Sequence, residues 1–217
     1  MKLRIKICCI SSIEEAALAV SYGADALGLV SEMPSGPGVI SDELARSIAA
    51  AVPPAVASFL LTSRQSAASI IEQHRFVRSN TLQIVDRLTE GSYQDLREAL
   101  PGIALVQVIH IQDEESYAEA LQAAPEVDAL LLDSGNQKLE TKLLGGTGQT
   151  HDWTISRRIV EDVDKPVFLA GGLKPENVRE AVETVRPFGL DICSGVRTDG
   201  RLDERKLEQF WEQISRM

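Results

Sequence analysis

No stretch of the chain is apolar for long enough to cross a bilayer, which takes about 18–20 residues, and the N-terminal Met1-Lys2-Leu3-Arg4-Ile5-Lys6 lacks the apolar core of a secretion signal. Both absences point to a soluble, cytoplasmic protein. Basic charge is also scarce: 22 Lys and Arg stand against 32 Asp and Glu, a formal net charge of −10, and no Lys/Arg cluster is dense enough to neutralise a phosphate backbone. Nucleic acid and anionic membrane are thereby excluded as main partners, and an anionic ligand has to be held by local dipoles. Cysteine appears three times, as Cys8, Cys9 and Cys193. Three cysteines build no disulfide framework, and in a cytoplasmic protein they are expected to stay reduced, a Cys8–Cys193 disulfide being an artefact of oxidation in vitro. The chain also lacks any low-complexity segment or linker, so its 217 residues read as one domain, 1–217.

What is there alternates. Short apolar runs at 3–8, 26–30, 55–61, 81–85, 104–109, 129–132, 166–170 and 189–193 are followed by helical patterns at 12–22, 41–51, 64–74, 92–100, 114–123, 152–161, 175–184 and 204–215. Ser11 or Ser12 ahead of Glu14-Glu15, and Ser41 ahead of Glu43, read as helix caps; Pro175 reads as a first-turn proline. Strict β/α alternation demands parallel strands and right-handed crossovers, and eight such units close into a (β/α)8 TIM barrel. An open doubly wound sheet is the competing arrangement.

In a barrel the chemistry sits where the strands end, because eight loops converge there. That rule selects Cys8, the 31–40 loop, Arg64, Asp86-Arg87, His110, Asp133, Gly171-Gly172 and Ser194-Gly195. Around Asp133 the signal is densest. The run Ala129-Leu130-Leu131-Leu132 ends in that acid, and twelve residues on Gly145-Gly146-Thr147-Gly148 precede His151-Asp152-Trp153 and a helix. Glycines before a helix let backbone N–H groups close around an anion. Gly171-Gly172 and Ser194-Gly195, after strands seven and eight, fall where such barrels bind phosphate. The plainer account is that these glycines only make tight turns. Cys8 likewise has a plainer account, a small buried hydrophobe, and His110 one in which it satisfies a backbone group; His74 and His151 are expected to face solvent. The cysteines with His110 match no zinc spacing, so no metal is expected. The 136–144 loop reads as a lid or a surface segment.

Lys6-Ile7-Cys8, Gly23-Ala24-Asp25-Ala26-Leu27-Gly28, Gly145 to Gly148 with Asp152-Trp153, Leu169 to Leu173 with Pro175-Glu176-Asn177-Val178, and Asp191 to Gly195 together resemble the phosphoribosylanthranilate isomerase family of tryptophan biosynthesis. The resemblance spans nearly the whole chain. It implies a (β/α)8 barrel performing an Amadori rearrangement of an N-glycosylated aminoaldose phosphate without metal or cofactor. Cys8 then matches the general base, Asp133 the general acid, and the turns at Gly145-Gly146, Gly171-Gly172 and Ser194-Gly195 the phosphate site. A thiolate at Cys8 needs a nearby cation or dipole, and Lys6, two residues back on the same face, is placed to help.

Two departures from the family pattern stand out. A Ser-Pro-Arg element, whose arginine pairs with the anthranilate carboxylate, is replaced by Met33-Pro34-Ser35-Gly36-Pro37-Gly38; and Gln-Leu-His-Gly is replaced by Gln83-Ile84-Val85-Asp86. Arg64 or Arg197 is expected to supply the lost cation. The alternative is a different phosphosugar, isomerised or only bound, on the same scaffold. The expected partner is a small phosphorylated sugar, and the expected state a monomer or homodimer.

Overall fold

The computed structural model describes residues 2–135, 151–215 and 217. Eight parallel strands close on themselves in chain order: β1 Arg4–Ile7, β2 Ala26–Val30, β3 Ala57–Thr62, β4 Thr81–Ile84, β5 Ala104–His110, β6 Ala129–Asp133, β7 Val167–Leu169 and β8 Gly189–Ile192. Pairing of β1 with β8, from Arg4 opposite Gly189 to Ile7 opposite Ile192, excludes the open sheet. Between them run α1 Ile13–Ser21, α2 Asp42–Ala51, α3 Ala67–Val77, α4 Tyr93–Ala99, α5 Glu114–Ala123, α6 Trp153–Asp162, α7 Val178–Val185 and, after β8, α8 Glu204–Ser215.

Helix starts follow local chemistry. Ser12 accepts from the Glu15 N–H and Ser41 from that of Leu44, so orphan donors of the first turn are satisfied by the side chain just outside it. Two starts differ from expectation. α3 begins at Ala67, because residues 65–66 pair first with the loop after β4, Ala67 N–H donating to the Glu90 carbonyl. α7 begins at Val178, with Asn177 at the cap and Pro175 lying in the preceding turn; Asn177 Oδ1 accepts from the Lys174 N–H, closing that turn ahead of the helix.

Alternation along each strand divides the apolar side chains into two cores. On β5, Leu105 and Ile109 pack outward with the helices, while Val106 and Val108 point into the barrel. The inner core joins Ala26, Phe59, Val106, Ala129 and Phe168, small residues beside large ones. Gly189 makes room for Phe168: a Cβ there would stand 2.7 Å from the ring. Above this layer the interior turns polar, with Lys6, Gln83 and Asp191 all buried.

Candidate active site

Lys6 and Asp191 are register partners on adjacent strands and both point inward, their Nζ and Oδ1 2.8 Å apart in an ion pair that falls outside hydrogen-bond angles. Burial opposes charge on both and pushes Asp191 up. At Lys6 burial is the largest single influence and lowers it, but Asp191 and Cys8 together outweigh burial, so the ammonium is held above its ordinary range. We read the pair as ionised, because each charge has its counter-charge in contact.

Cys8, the next inward position and the first residue past β1, sits over that pair. Gly28 on β2 provides the space: a Cβ there would lie 2.7 Å from Cys8 Sγ and 3.1 Å from Lys6 Nζ. Burial, with Asp191 adding to it, pushes the Cys8 thiol up to about 11 against the pull of Lys6 and the Cys9 N–H. Lys6 therefore draws the thiol down without making it a thiolate, since burial and Asp191 outweigh it. Arg197 holds Cys8 by its backbone: it pairs with Glu15 at 3.0 Å and donates to the Cys8 carbonyl at 3.1 Å, which anchors the end of β1. Burial works against the Glu15 carboxylate, but Arg197 and the Leu202 and Ser11 N–H groups hold it below its usual range.

Asp133 closes β6. Its Oδ1 accepts from the Ser134 N–H at 2.7 Å, and Gly171, in the left-handed region at φ +84°, lies against Ser134. The turns after β7 and β8 press together so closely that a Cβ on Gly195 would overlap the Leu173 carbonyl. One cavity is lined by Cys8, Asp133, Gly171, Gly172, Ser194, Asp191 and Gln83, with Met33, Ser35, Gly36 and Pro37 at its rim. Gly195 lines the adjoining depression with Gly172, Lys174, Ser194 and Lys206. The 31–40 loop is hooked over this mouth, the Ile40 N–H donating back to the Val30 carbonyl.

Several sequence expectations end elsewhere. Arg64 donates to the Ser69 carbonyl and lies 3.8 Å from Asp42, away from the cavity. Arg197 is buried with Glu15, so neither arginine supplies a cation to the mouth. His110 donates from Nε2 to the Val85 carbonyl and lines a separate pocket with Asp86 and Arg87. Its plainer role is therefore the observed one. Arg87 pairs with Glu119. His74 is buried against the Ser79 carbonyl, and His151 is half-buried with Nε2 2.7 Å from Ser156 Oγ; neither faces solvent. Cys9 and Cys193 form a disulfide, correcting both the reduced state and the Cys8–Cys193 pairing. The reason is local: Cys9 takes φ +63°, ending strand alternation and swinging its side chain toward β8. Gly145, Gly146 and the 136–144 loop lie outside the described residues. Among the described residues no Lys, Arg or His lines the cavity. Two of its polar residues escaped the sequence reading as site residues. Asp191 appeared only inside a motif, and Gln83 only as part of a departure, although a polar residue inside an apolar strand was the available signal.

The family model for N-(5'-phosphoribosyl)anthranilate (PRA) isomerase matches residues 5–213. The chain belongs to the PRA isomerase family. An N-(5'-phosphoribosyl)anthranilate isomerase of Methanocella arvoryzae is 34% identical over 212 residues, 97% of each chain. The crystal structure of phosphoribosyl anthranilate isomerase from Thermotoga maritima superposes with a TM-score of 0.82 at 30% identity, covering 99% of this chain and 100% of that one. Another PRA isomerase structure, in complex with reduced 1-(o-carboxyphenylamino)-1-deoxyribulose 5-phosphate, does so at 0.79 and 28%, with the same coverage.

Proposed function

We propose that this protein converts N-(5'-phosphoribosyl)anthranilate into the corresponding 1-(o-carboxyphenylamino)-1-deoxyribulose 5-phosphate, a step of tryptophan biosynthesis, in the cytoplasm and as a monomer or homodimer. The observation that carries the reading is the single cavity bordered by Cys8, Asp133 and the paired turns after β7 and β8. Opening the ribose ring needs a proton on the ring oxygen, and Asp133 is the acid for it. The C1′–O bond breaks as the nitrogen lone pair forms an iminium. Cys8, as thiolate, then removes the C2′ proton; the C2′–H electrons form the C1′–C2′ double bond, and the iminium pair returns to nitrogen. Protonation at C1′ and loss of the C2′ hydroxyl proton give the ketone. Gly171, Gly172, Ser194 and Gly195, with Gly145 and Gly146, hold the 5′-phosphate through backbone N–H groups.

The test is the loss of substrate fluorescence when freshly made phosphoribosylanthranilate is mixed with the protein. Turnover by wild type, abolished in Cys8→Ser and Asp133→Asn, is the expected result; wild-type turnover no greater than that of the double variant would refute the assignment.

A further inference from the structure

On the cavity wall formed by β3, β4 and β5, Leu61, Val85 and Val108 are apolar and Gln83 is not. Gln83 is 2% exposed, and its Oε1 has no hydrogen-bond partner among the described residues. The residues opposite it in register, Leu61 on β3 and Val106 on β5, offer no side-chain donor. An orphaned buried amide oxygen lowers stability, and a side chain kept in that state is explained by a donor that arrives with a ligand.

The cavity's layout says which part of the ligand. The phosphate turns follow β7 and β8, and β4 stands halfway round the ring from β8. A substrate anchored by its phosphate therefore extends its other end toward β3 to β5 and the rim residues Met33 and Pro37, an apolar wall suited to an aryl ring. At the junction of ring and sugar lies the aryl amine.

We propose that Gln83 contacts the substrate directly, its carboxamide oxygen accepting a hydrogen bond from the aryl amine N–H; this rests on the PRA isomerase reading above. The bond strengthens during the reaction. When the ring opens, the amine nitrogen becomes a positively charged iminium, and a hydrogen bond from a charged donor is about twice as strong as one from a neutral donor. A contact that tightens in this way lowers the barrier more than it aids binding, so its loss falls on kcat. Gln83 moves no proton.

Gln83→Met, which keeps the length and removes the acceptor, tests this in the same fluorescence assay. We expect kcat lower by about 10- to 100-fold, KM within about threefold, and a Tm equal to or above wild type, because a buried unpartnered amide has been removed. A carboxamide serving only the fold would give the opposite pattern, a lower Tm with kcat intact. An active wild type with Gln83→Met within about twofold of it in kcat overturns the role of Gln83 alone, whereas an inactive wild type overturns the isomerase reading and this contact with it. Gln83→Leu carries the same comparison if Gln83→Met does not fold. Failure of both to fold would make the amide structural and refute the contact.

Discussion

At the scale of single residues, Cys8 shows how a proposed base depends on its surroundings. Burial and Asp191 hold its thiol near 11, against an ordinary 9.0, so the free protein carries Cys8 protonated at neutral pH. Because the proposed step needs thiolate, kcat/KM measured across the alkaline range is expected to climb about tenfold per pH unit toward that value. A flat profile above pH 7 would count against Cys8. The same shift bears on stability: a group that binds its proton more tightly when folded favours folding below its unfolded value and loses that contribution as pH rises through the folded one. Unfolding midpoints should fall between pH 9 and about 11, and fall less in Cys8→Ser. His151 runs the other way. Burial lowers it to about 4, so its contribution is present above 6.5 and lost as pH falls toward 4; His151→Gln should flatten that acid limb in a pH series of urea titrations. Cys8 and Asp133 were legible because a strand's end is visible in the apolar pattern. The partners of Arg64, Arg197 and His110 were not, because a long side chain's partner lies on another element.

Elements position these groups. β1 is tied at its end by Arg197, whose guanidinium reaches both Glu15 in α1 and the Cys8 carbonyl. Arg197→Met would leave the Glu15 carboxylate, in a largely buried site, without its counter-charge and with only the Ser11 and Leu202 N–H groups. Breaking a buried pair in this way costs about 3–5 kcal/mol, readable by denaturant unfolding, and it should also reduce turnover by freeing the end of β1. A loss below about 1 kcal/mol would show that the Ser11 and Leu202 N–H groups suffice to hold the Glu15 carboxylate. Between β1 and β2 the decisive element feature is an absence. Gly28 leaves the volume that Cys8 and Lys6 occupy, so Gly28→Ala should cost about 1–3 kcal/mol through overpacking and displace Cys8, seen as lost turnover with the fold retained by circular dichroism. The strand and helix positions followed from periodicity and caps. Where α3 and α7 departed from it, a turn outside the helix had claimed the residues first.

For the molecule as a whole, the ring closes where β8 meets β1, and the Cys9–Cys193 disulfide crosses that seam over a separation of 184 residues. A crosslink spanning so much of the chain restricts the unfolded state strongly, by about 2–5 kcal/mol. Adding dithiothreitol, or replacing Cys9 by alanine, is expected to lower the urea midpoint accordingly, and equal midpoints with and without reductant would refute it. From the order of its residues alone the chain determined its parallel alternation, its eightfold count and the acid and thiol at strand ends, since these depend on spacing along one dimension. The Lys6–Asp191 pair, the cystine at the seam and the Gln83 Oε1 without a partner among the described residues were decided only by the tertiary structure, because each depends on atoms that the chain brings together from distant strands and on the burial that folding creates.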